Sequence, residues 1–179
     1  MNQPVIPLFV CHANWCRSVL ASHLYKHLDV AAPALSAGFE PGERINDRAL
    51  AMLGHGGIDA RGHRPQPLHR ALCDQAGAIF LMAPAYVHRL LLEFGQDLVG
   101  RAYLFADPFT RPQTFANGKY RVSDPSFDER STEELVREYG WVQERVSEIR
   151  QALLGVGGRR MIPASEYPSL LRPVDPKGH

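Results

Sequence analysis

The sequence has few cysteines, little net charge and no long hydrophobic run. Three cysteines in 179 residues are too few, and odd in number, for a secreted disulfide framework, and their spacing is not that of a metal site. Twenty basic residues nearly balance nineteen acidic ones, so no broad field attracts nucleic acid or an anionic membrane. No stretch reaches the ~18 apolar residues of a membrane span. These absences predict a cytoplasmic protein that binds neither nucleic acid nor membrane. Any anion site must be formed by a few neighbouring groups rather than by the charge of a whole surface.

Apolar runs alternate with helical patterns along most of the chain. Short runs typical of buried strands occur at residues 5–10, 32–38, 76–83 and 100–109. Helical periodicity or capping signals lie between and after them: Leu20, Leu24 and Leu28 four apart, Asn46–Asp47 before residues 48–55, a segment from Pro84 to Gly95, and a capping box of Ser131 and Glu134. This alternation predicts an α/β fold, a four-stranded parallel open sheet with helices on both faces.

The pattern changes near residue 155. Residues 1–154 contain all the predicted strands and helices, and that length supports a single core. From residue 155 the periodicity is lost and four prolines follow, so we predict that residues 155–179 form an irregular or disordered C-terminal tail.

The stretch FVCHANWCRS, residues 9–18, joins the first predicted strand to the first predicted helix. In a parallel α/β sheet, loops at this position aim backbone N–H groups and a helix dipole at an anion, and phosphate is the preferred guest. Cys11 begins the loop and Arg17 ends it. A thiolate at Cys11 would face the phosphate as a nucleophile, and Arg17 could hold two phosphate oxygens. The hydroxyl of Ser18 could donate toward the thiolate. The alternative is two buried structural cysteines and an arginine that starts a helix.

Phosphoryl transfer to cysteine also needs a proton donor for the leaving oxygen. Two Asp-Pro pairs provide candidates, Asp107-Pro108 after the fourth strand and Asp124-Pro125 before the last helix. Either pair could instead be a simple turn. Residue chemistry alone leaves the choice between Asp107 and Asp124 open.

The chain resembles the low-molecular-weight protein tyrosine phosphatases, especially their bacterial members, over about residues 5–153. The matching segments are FVCHANWCRS, LSAG, GIDARGHRPQPL, AIFLMA and SDPSFDE, in the family's order and spacing. The resemblance implies a phosphatase-like domain that hydrolyses phosphotyrosine through a cysteinyl-phosphate intermediate, without metal or cofactor. It also suggests a phosphotyrosine-containing protein as partner, such as a bacterial tyrosine kinase.

The resemblance assigns roles by position. Cys11 matches the nucleophile, Arg17 the phosphate clamp and Asp124 the general acid. Cys16 matches a second loop cysteine that can form a disulfide with the nucleophile under oxidation. Residues implied to bind substrate or phosphate are His12, Ala13, Asn14, Trp15, Cys16, Arg17, Ser18 and Phe127, and residues implied to support the loop are Ser18, Ser36 and His63.

The loop departs from the family's usual pattern, roughly CLGNICRSP. Ala13 replaces glycine, and a position that needs a positive φ would strain alanine there. His12, Trp15 and Val19 replace leucine, isoleucine and proline, and we expect the first two to change substrate preference at the rim. Phe127 is left as the one candidate aromatic wall after the Asp-Pro pair, where the family often has two.

Two other functions compete. Arsenate reductases share this fold but pass an oxidised state along further cysteines, and the third cysteine, Cys73, stands alone in the sequence. A non-catalytic phosphate- or phosphopeptide-binding module is suggested by the altered loop positions and opposed by the intact Cys11, Arg17 and Asp124. The sequence does not indicate an oligomeric state.

Overall fold

The computed structural model describes residues 4–28, 32–110, 122–126 and 129–171. Its centre is a sheet of four strands, which are β1 (Pro7–Cys11), β2 (Leu35–Gly38), β3 (Ala78–Leu81) and β4 (Ala102–Leu104). The strand order is β2-β1-β3-β4, and every neighbouring pair is parallel. The predicted four-stranded parallel α/β sheet is therefore confirmed.

Among the described residues, five α-helices flank the sheet: α1 (Arg17–Leu28), α2 (Asp47–His55), α3 (Arg70–Gln75), α4 (Ala85–Phe94) and α5 (Thr132–Leu153). The predicted caps form: Asn46 accepts from the backbone N–H of Arg48, and Ser131 and Glu134 make a capping box. Within the described residues, no helix is long and apolar enough to cross a membrane.

Side chains that alternate along β1 divide the core into two clusters, one on each face of the sheet. Phe9 and Cys11 belong to the cluster that α1, α2 and α5 cover. Leu8 and Val10 belong to the cluster that α3 and α4 cover. The helices thus lie on both faces, as predicted, and Cys11 points to the face that carries the longest helix.

Helix α3 and the 3-10 helix Gln96–Arg101 do not appear in the sequence-based reading. Each has six residues, fewer than two turns of an α-helix, so neither shows a repeat of apolar positions. Helix α3 begins at a histidine cap, since His69 Nδ1 accepts from the backbone N–H of Leu72 at 3.3 Å. Histidine is not among the residues that are preferred as helix N-caps, so the sequence did not predict this helix start.

The C-terminal segment is irregular as far as residue 171 but packs more closely than its composition suggests. Two short 3-10 helices, Ala164–Glu166 and Pro168–Leu170, bring Ala164, Tyr167 and Leu170 into the cluster beneath α3 and α4, and all three are buried. The backbone N–H of Ile162 donates to the Pro108 carbonyl at 2.8 Å. Residues 172–179 of the predicted tail lie outside the described residues.

The strand order places the candidate loop at the centre of the sheet. Strand β1 lies between β2 and β3, where the chain switches from one side of the sheet to the other. In open parallel sheets such a switch point leaves a crevice at the carboxyl ends of the strands, where ligands bind. Cys11 is the last residue of β1, paired in register with Gly38 at the end of β2.

Candidate active site

Cys11 lies at the bottom of the loop that joins β1 to α1. Its side chain is 1% exposed, and its Sγ lies 3.0 Å from the hydroxyl of Ser18. Asn14 Nδ2 donates to the same hydroxyl oxygen at 2.9 Å. With its oxygen accepting from Asn14, the Ser18 hydroxyl can direct its proton to the sulfur and stabilise a thiolate.

The loop's backbone carbonyls are turned away from its hollow. The carbonyls of Cys11, His12, Ala13 and Trp15 accept from the N–H groups of residues 39, 40, 42 and 46, at 2.8–3.3 Å. The carbonyl of Asn14 lies 3.2 Å from His63 Nε2. In a trans peptide the N–H points opposite to the C=O, so the N–H groups of residues 12–16 point away from these partners. Such a set of convergent donors, followed by the N-terminus of α1, binds an anion.

Gly38 allows the segment 38–46 to lie against this loop. A Cβ at Gly38 would lie 2.5 Å from the His12 carbonyl oxygen and 2.7 Å from the Asn14 backbone nitrogen. Both are backbone atoms, which cannot move aside as a flexible side chain can. Glycine is therefore required where β2 ends, because the two backbones approach too closely for any other residue.

Asn14 is the strained residue of the loop. Its φ is 49°, and among the described residues it is the only non-glycine with a positive φ. Its side chain compensates, since Oδ1 accepts from the Gln66 backbone N–H at 3.0 Å while Nδ2 reaches Ser18. Asparagine tolerates this conformation better than most residues. Ala13 does not have a positive φ, so the strain that we considered for it does not arise.

Of the three predicted supporting residues, Ser18 lies in the loop as described above, whereas Ser36 and His63 lie outside it, and only His63 has a direct hydrogen bond to it. His63 reaches the Asn14 carbonyl directly, as described above. Ser36 is buried in β2, and its backbone carbonyl accepts from Gln66 Nε2 at 2.8 Å. Gln66 thus connects β2 to the Asn14 side chain, a role that the sequence-based analysis did not assign to it. Asn14 and Gln66 are 52 positions apart, so no local pattern could have revealed this contact.

Arg17 and Asp124 meet at the mouth of the loop. Arg17 Nη2 lies 2.6 Å from Asp124 Oδ2, and the two side chains are only 4% and 12% exposed. Arg17 Nη1 donates to the Val122 carbonyl at 3.4 Å. The buried Nε of Arg17 has no hydrogen-bond partner among the described residues. A buried donor of this kind is suited to a guest anion, because leaving it unpaired is unfavourable.

The two candidate acids occupy different environments. Asp124 Oδ1 accepts from the backbone N–H and the hydroxyl of Ser126, which leaves Oδ2 facing Arg17. Asp107 Oδ1 instead accepts from the backbone N–H groups of residues 109 and 110, as an aspartate that caps a turn does. The geometry favours Asp124 as the proton donor and gives Asp107 the role of a turn residue.

The remaining rim positions are partly described. Trp15 is half-buried, and its ring packs on Gly42, where an added Cβ would lie 2.8 Å from Cε3. His12 is exposed, and its Nε2 lies 3.6 Å from a Glu40 oxygen. Val19, in place of the family's proline, is fully buried in the core. Phe127, the candidate aromatic wall, lies outside the described residues.

The three cysteines are free thiols with different surroundings. Cys16 is buried near Cys11, and burial, with the nearby Asp124 charge, strongly raises its pKa. Cys73 is buried in the cluster on the opposite face of the sheet, where burial raises its pKa to about 11. This separation by the sheet opposes a relay that would use all three cysteines. Disulfide pairing of Cys11 with Cys16 stays a prediction.

A family model supplies the identity that this geometry suggests. The model of the low molecular weight phosphotyrosine protein phosphatases matches residues 7–154. The chain belongs to this family. Membership makes it a cysteine-dependent phosphatase and confirms the resemblance read from the loop and the segments around it.

Solved structures show the low molecular weight phosphatase fold as well. Vibrio vulnificus Wzb in complex with benzylphosphonate has 23% identity and a TM-score of 0.68, with 84% of this chain and 99% of that one covered. The tyrosine phosphatase Wzb from Escherichia coli K30, in complex with sulphate, has 19% identity and a TM-score of 0.69 over 84% and 99%. The YwlE arginine phosphatase from Geobacillus stearothermophilus has 21% identity and a TM-score of 0.71 over 84% and 94%. No curated protein matches the chain.

Proposed function

We propose that the protein is a protein-tyrosine phosphatase that hydrolyses phosphotyrosine through a cysteinyl-phosphate intermediate. The observation that carries the proposal is the convergence of three groups on one anion-binding loop. The Cys11 thiol lies at its bottom beside Ser18, and Arg17 and Asp124 meet 2.6 Å apart at its mouth. Nucleophile, phosphate clamp and proton donor are thus all present within one site.

The first step transfers the phosphoryl group to sulfur. The substrate phosphate displaces Asp124 from Arg17 and takes up the loop N–H groups, so charge on its oxygens is stabilised as the transition state forms. The Cys11 thiolate attacks phosphorus, the bond from phosphorus to the phenolic oxygen breaks, and protonated Asp124 gives its proton to that oxygen. Tyrosine leaves as the neutral phenol.

The second step hydrolyses the phosphocysteine. Asp124, now a carboxylate, removes a proton from a water molecule, and the water oxygen attacks phosphorus. The bond from sulfur to phosphorus breaks, which restores the Cys11 thiolate and releases inorganic phosphate. Because turnover needs Asp124 protonated and Cys11 ionised at the same time, we expect a rate optimum below pH 7.

The depth of the nucleophile supports phosphotyrosine over phosphoserine. Cys11 is 1% exposed, so a phosphate carried on a long side chain can reach it more readily than one on the short side chain of serine while the peptide backbone stays outside. The half-buried Trp15 ring on the same loop supports an aromatic leaving group, since aromatic rings pack well against each other. The physiological substrate would then be a tyrosine-phosphorylated protein, and a bacterial tyrosine kinase is one such protein.

Phosphoarginine is the second candidate substrate. It is also long enough to reach a buried thiol, and one structural relative, YwlE, is an arginine phosphatase. The Trp15 ring favours the aryl substrate, although a guanidinium group can stack on an aromatic ring as well. The two substrates must therefore be compared directly.

The first experiment measures p-nitrophenyl phosphate hydrolysis from pH 5 to 8, then the hydrolysis of a phosphotyrosine peptide and of the same peptide carrying phosphoarginine. We expect an acidic optimum and a kcat/KM for the phosphotyrosine peptide at least about tenfold higher than for phosphoarginine. Cys11→Ser should abolish turnover, because it removes the nucleophile. Asp124→Asn should lower kcat/KM about 100-fold or more, as loss of a general acid does.

The outcomes separate the alternatives. Faster turnover of the phosphoarginine peptide would overturn the tyrosine specificity and leave the cysteine phosphatase intact. If reduced wild-type protein binds vanadate but turns over neither peptide, the loop is a receptor for phosphate groups and the enzymatic proposal fails.

A further inference from the structure

The residues on either side of Asp124 are each bound by an arginine from another part of the chain. Before it, the Ser123 hydroxyl accepts from Arg130 Nη2. After it, the Pro125 carbonyl accepts from Arg48 Nη1 at 2.7 Å. Residues 122–126, which we call the acid loop, contain no helix or strand, so contacts of this kind determine where Asp124 lies.

Arg130 is itself fixed by a carboxylate on α5. Its Nη1 lies 3.3 Å from Glu138 Oε2, and the two side chains are 16% and 15% exposed. Burial raises the pKa of Glu138, and the charge of Asp124 raises it further, while Arg130 opposes both effects. Arg130 therefore stabilises the charged form of the Glu138 side chain. Through Arg130, Ser123 is connected to α5.

Arg48 connects the acid loop to the phosphate-binding loop. It lies in the first turn of α2, where its backbone N–H donates to the cap residue Asn46 at 3.0 Å. The backbone N–H of Asn46 donates in turn to the Trp15 carbonyl at 2.9 Å. The N-terminus of α2 therefore contacts both loops, Pro125 through the Arg48 side chain and Trp15 through the Asn46 backbone.

The contacts of Arg48 and Arg130 with the acid loop are important because the Arg17–Asp124 contact must break during turnover. Arg17 binds Asp124 at 2.6 Å, and in the proposed reaction it exchanges that carboxylate for the phosphate of the substrate. At that moment the acid loop keeps the contact of Arg17 with the Val122 carbonyl, at 3.4 Å, and the two arginine contacts beside Asp124.

We propose that Arg48 and the Arg130–Glu138 pair are positioning residues for Asp124. They hold the acid loop at Pro125 and Ser123, so that the released carboxyl group stays beside the leaving oxygen of the substrate. The inference rests on the proposed role of Asp124 as general acid. A proton donor contributes about 100- to 10,000-fold to rate when it is well placed, so a misplaced one loses a measurable part of that effect.

The dependence of rate on the leaving group tests this role. Phenyl phosphate needs a proton on its leaving oxygen, whereas 2,4-dinitrophenyl phosphate leaves as a stable anion. Arg48→Met and Arg130→Met should each lower kcat/KM about tenfold for phenyl phosphate and less than about threefold for the dinitrophenyl ester. Glu138→Gln should also lower kcat/KM more for phenyl phosphate than for the dinitrophenyl ester, but by a smaller factor than the arginine variants, because glutamine can still accept from Arg130.

A matched control lies on the same helix. Glu148 pairs with Arg145 and Arg159 at 2.8 and 2.7 Å, and it lies ten residues, or about 15 Å, beyond Glu138 along α5. Glu148→Gln should leave the leaving-group dependence unchanged. In an Asp124→Asn background the arginine substitutions should have little further effect, because residues that act through one group are not additive.

The result that would overturn the inference is an equal loss for both esters, or no loss, in variants that fold. If a methionine variant fails to fold, Arg48→Gln and Arg130→Gln replace it, since glutamine is polar but shorter than arginine, and the same ratio of the two esters decides. Wild-type protein without phosphatase activity would instead mean that the proposed function has failed, which the wild-type assay shows independently of any variant.

Discussion

Arg17 has one guanidinium group for two competing anions, the Asp124 carboxylate and the proposed substrate phosphate. The side chain is 4% exposed, so its charge depends on nearby partners rather than on water. Asp124 supplies one such partner at 2.6 Å, and a phosphate in the loop would supply another. Because an unpaired buried charge is strongly unfavourable, the ion pair with Asp124 stabilises Arg17, and in the proposed reaction the substrate phosphate takes the place of that carboxylate. Lysine, with a single ammonium nitrogen, could not bind Asp124 and the Val122 carbonyl through two separate nitrogens as Arg17 does.

His23 provides a pH-sensitive element away from the reaction. It lies on α1 with its ring centroid 5.6 Å from that of His63. Burial, and then the charges of Lys26 and His63, lower the pKa of His23 from 6.5 to about 4. Between these pH values the unfolded chain binds more protons than the folded protein at this site, so stability falls as pH falls through this window.

We predict that His23→Gln flattens this part of the stability profile. From pH 6.5 to 5, wild-type protein should lose about 1–2 kcal/mol of unfolding free energy more than the variant does. Urea unfolding at a series of pH values measures the difference. His27→Gln, at an exposed position in the last turn of the same helix, is the control and should follow the wild-type curve. Parallel curves for all three proteins would contradict the prediction.

At the scale of elements, the close approach of residues 38–46, which begin at the end of β2, to the phosphate-binding loop determines the shape of the site. Gly38 is the contact point, and a Cβ there would lie 2.5 Å from the His12 carbonyl oxygen. Gly38→Ala should destabilise the protein by about 2 kcal/mol, since backbone atoms must shift to accept the methyl group. The shift displaces the loop, so we also expect weaker vanadate binding, measured by titration.

Gly54 is the matched control for this substitution. It lies in α2 with no atom within 4 Å of an added Cβ. Gly54→Ala should stabilise the protein by about 0.5 kcal/mol, because alanine has a higher helix propensity than glycine. It should leave vanadate binding unchanged. Equal effects of the two substitutions on vanadate binding would refute the close approach at Gly38.

The sequence predicts most elements because their signals are local. Apolar runs locate the four strands, and caps such as Asn46 and Ser131 locate helix starts, within a few residues of the observed bounds. Helix α3 is too short for periodicity. By residue chemistry alone Asp107 and Asp124 are equivalent, because both precede proline. The resemblance assigns the acid to Asp124, and in the structure a contact distant in sequence, that of Asp124 with Arg17, distinguishes the two. Arg48 and Arg130 were missed for the same reason, since an arginine that binds another segment resembles any surface arginine.

At the scale of the whole molecule, the C-terminal segment is part of the core on one face of the sheet. Arg159 lies over the Phe109 ring, 4.0 Å from its centroid, and the Tyr167 hydroxyl donates to the Thr110 carbonyl at 3.1 Å. Tyr167 is 5% exposed. The segment, which follows the residues 7–154 that the family model matches, therefore covers the chain directly after β4.

We predict that this packing stabilises the fold. Tyr167→Phe should lower the unfolding free energy by about 1 kcal/mol through the lost hydrogen bond, and Tyr167→Ala by about 3 kcal/mol through the lost packing. Urea unfolding measures both. Wild-type stability in Tyr167→Ala would show that the segment is not docked in solution.

Natural selection can change the side chains of residues 12, 13 and 15 without dismantling the anion site. The groups aimed at the anion are backbone N–H groups, and their direction is set by hydrogen bonds from residues 39–46 and from His63. Every amino acid except proline carries the same N–H, so substitutions such as His12 or Trp15 alter the rim and leave the donors in place. Substitutions at these three positions can therefore change the shape and polarity of the rim while the backbone donors keep their direction.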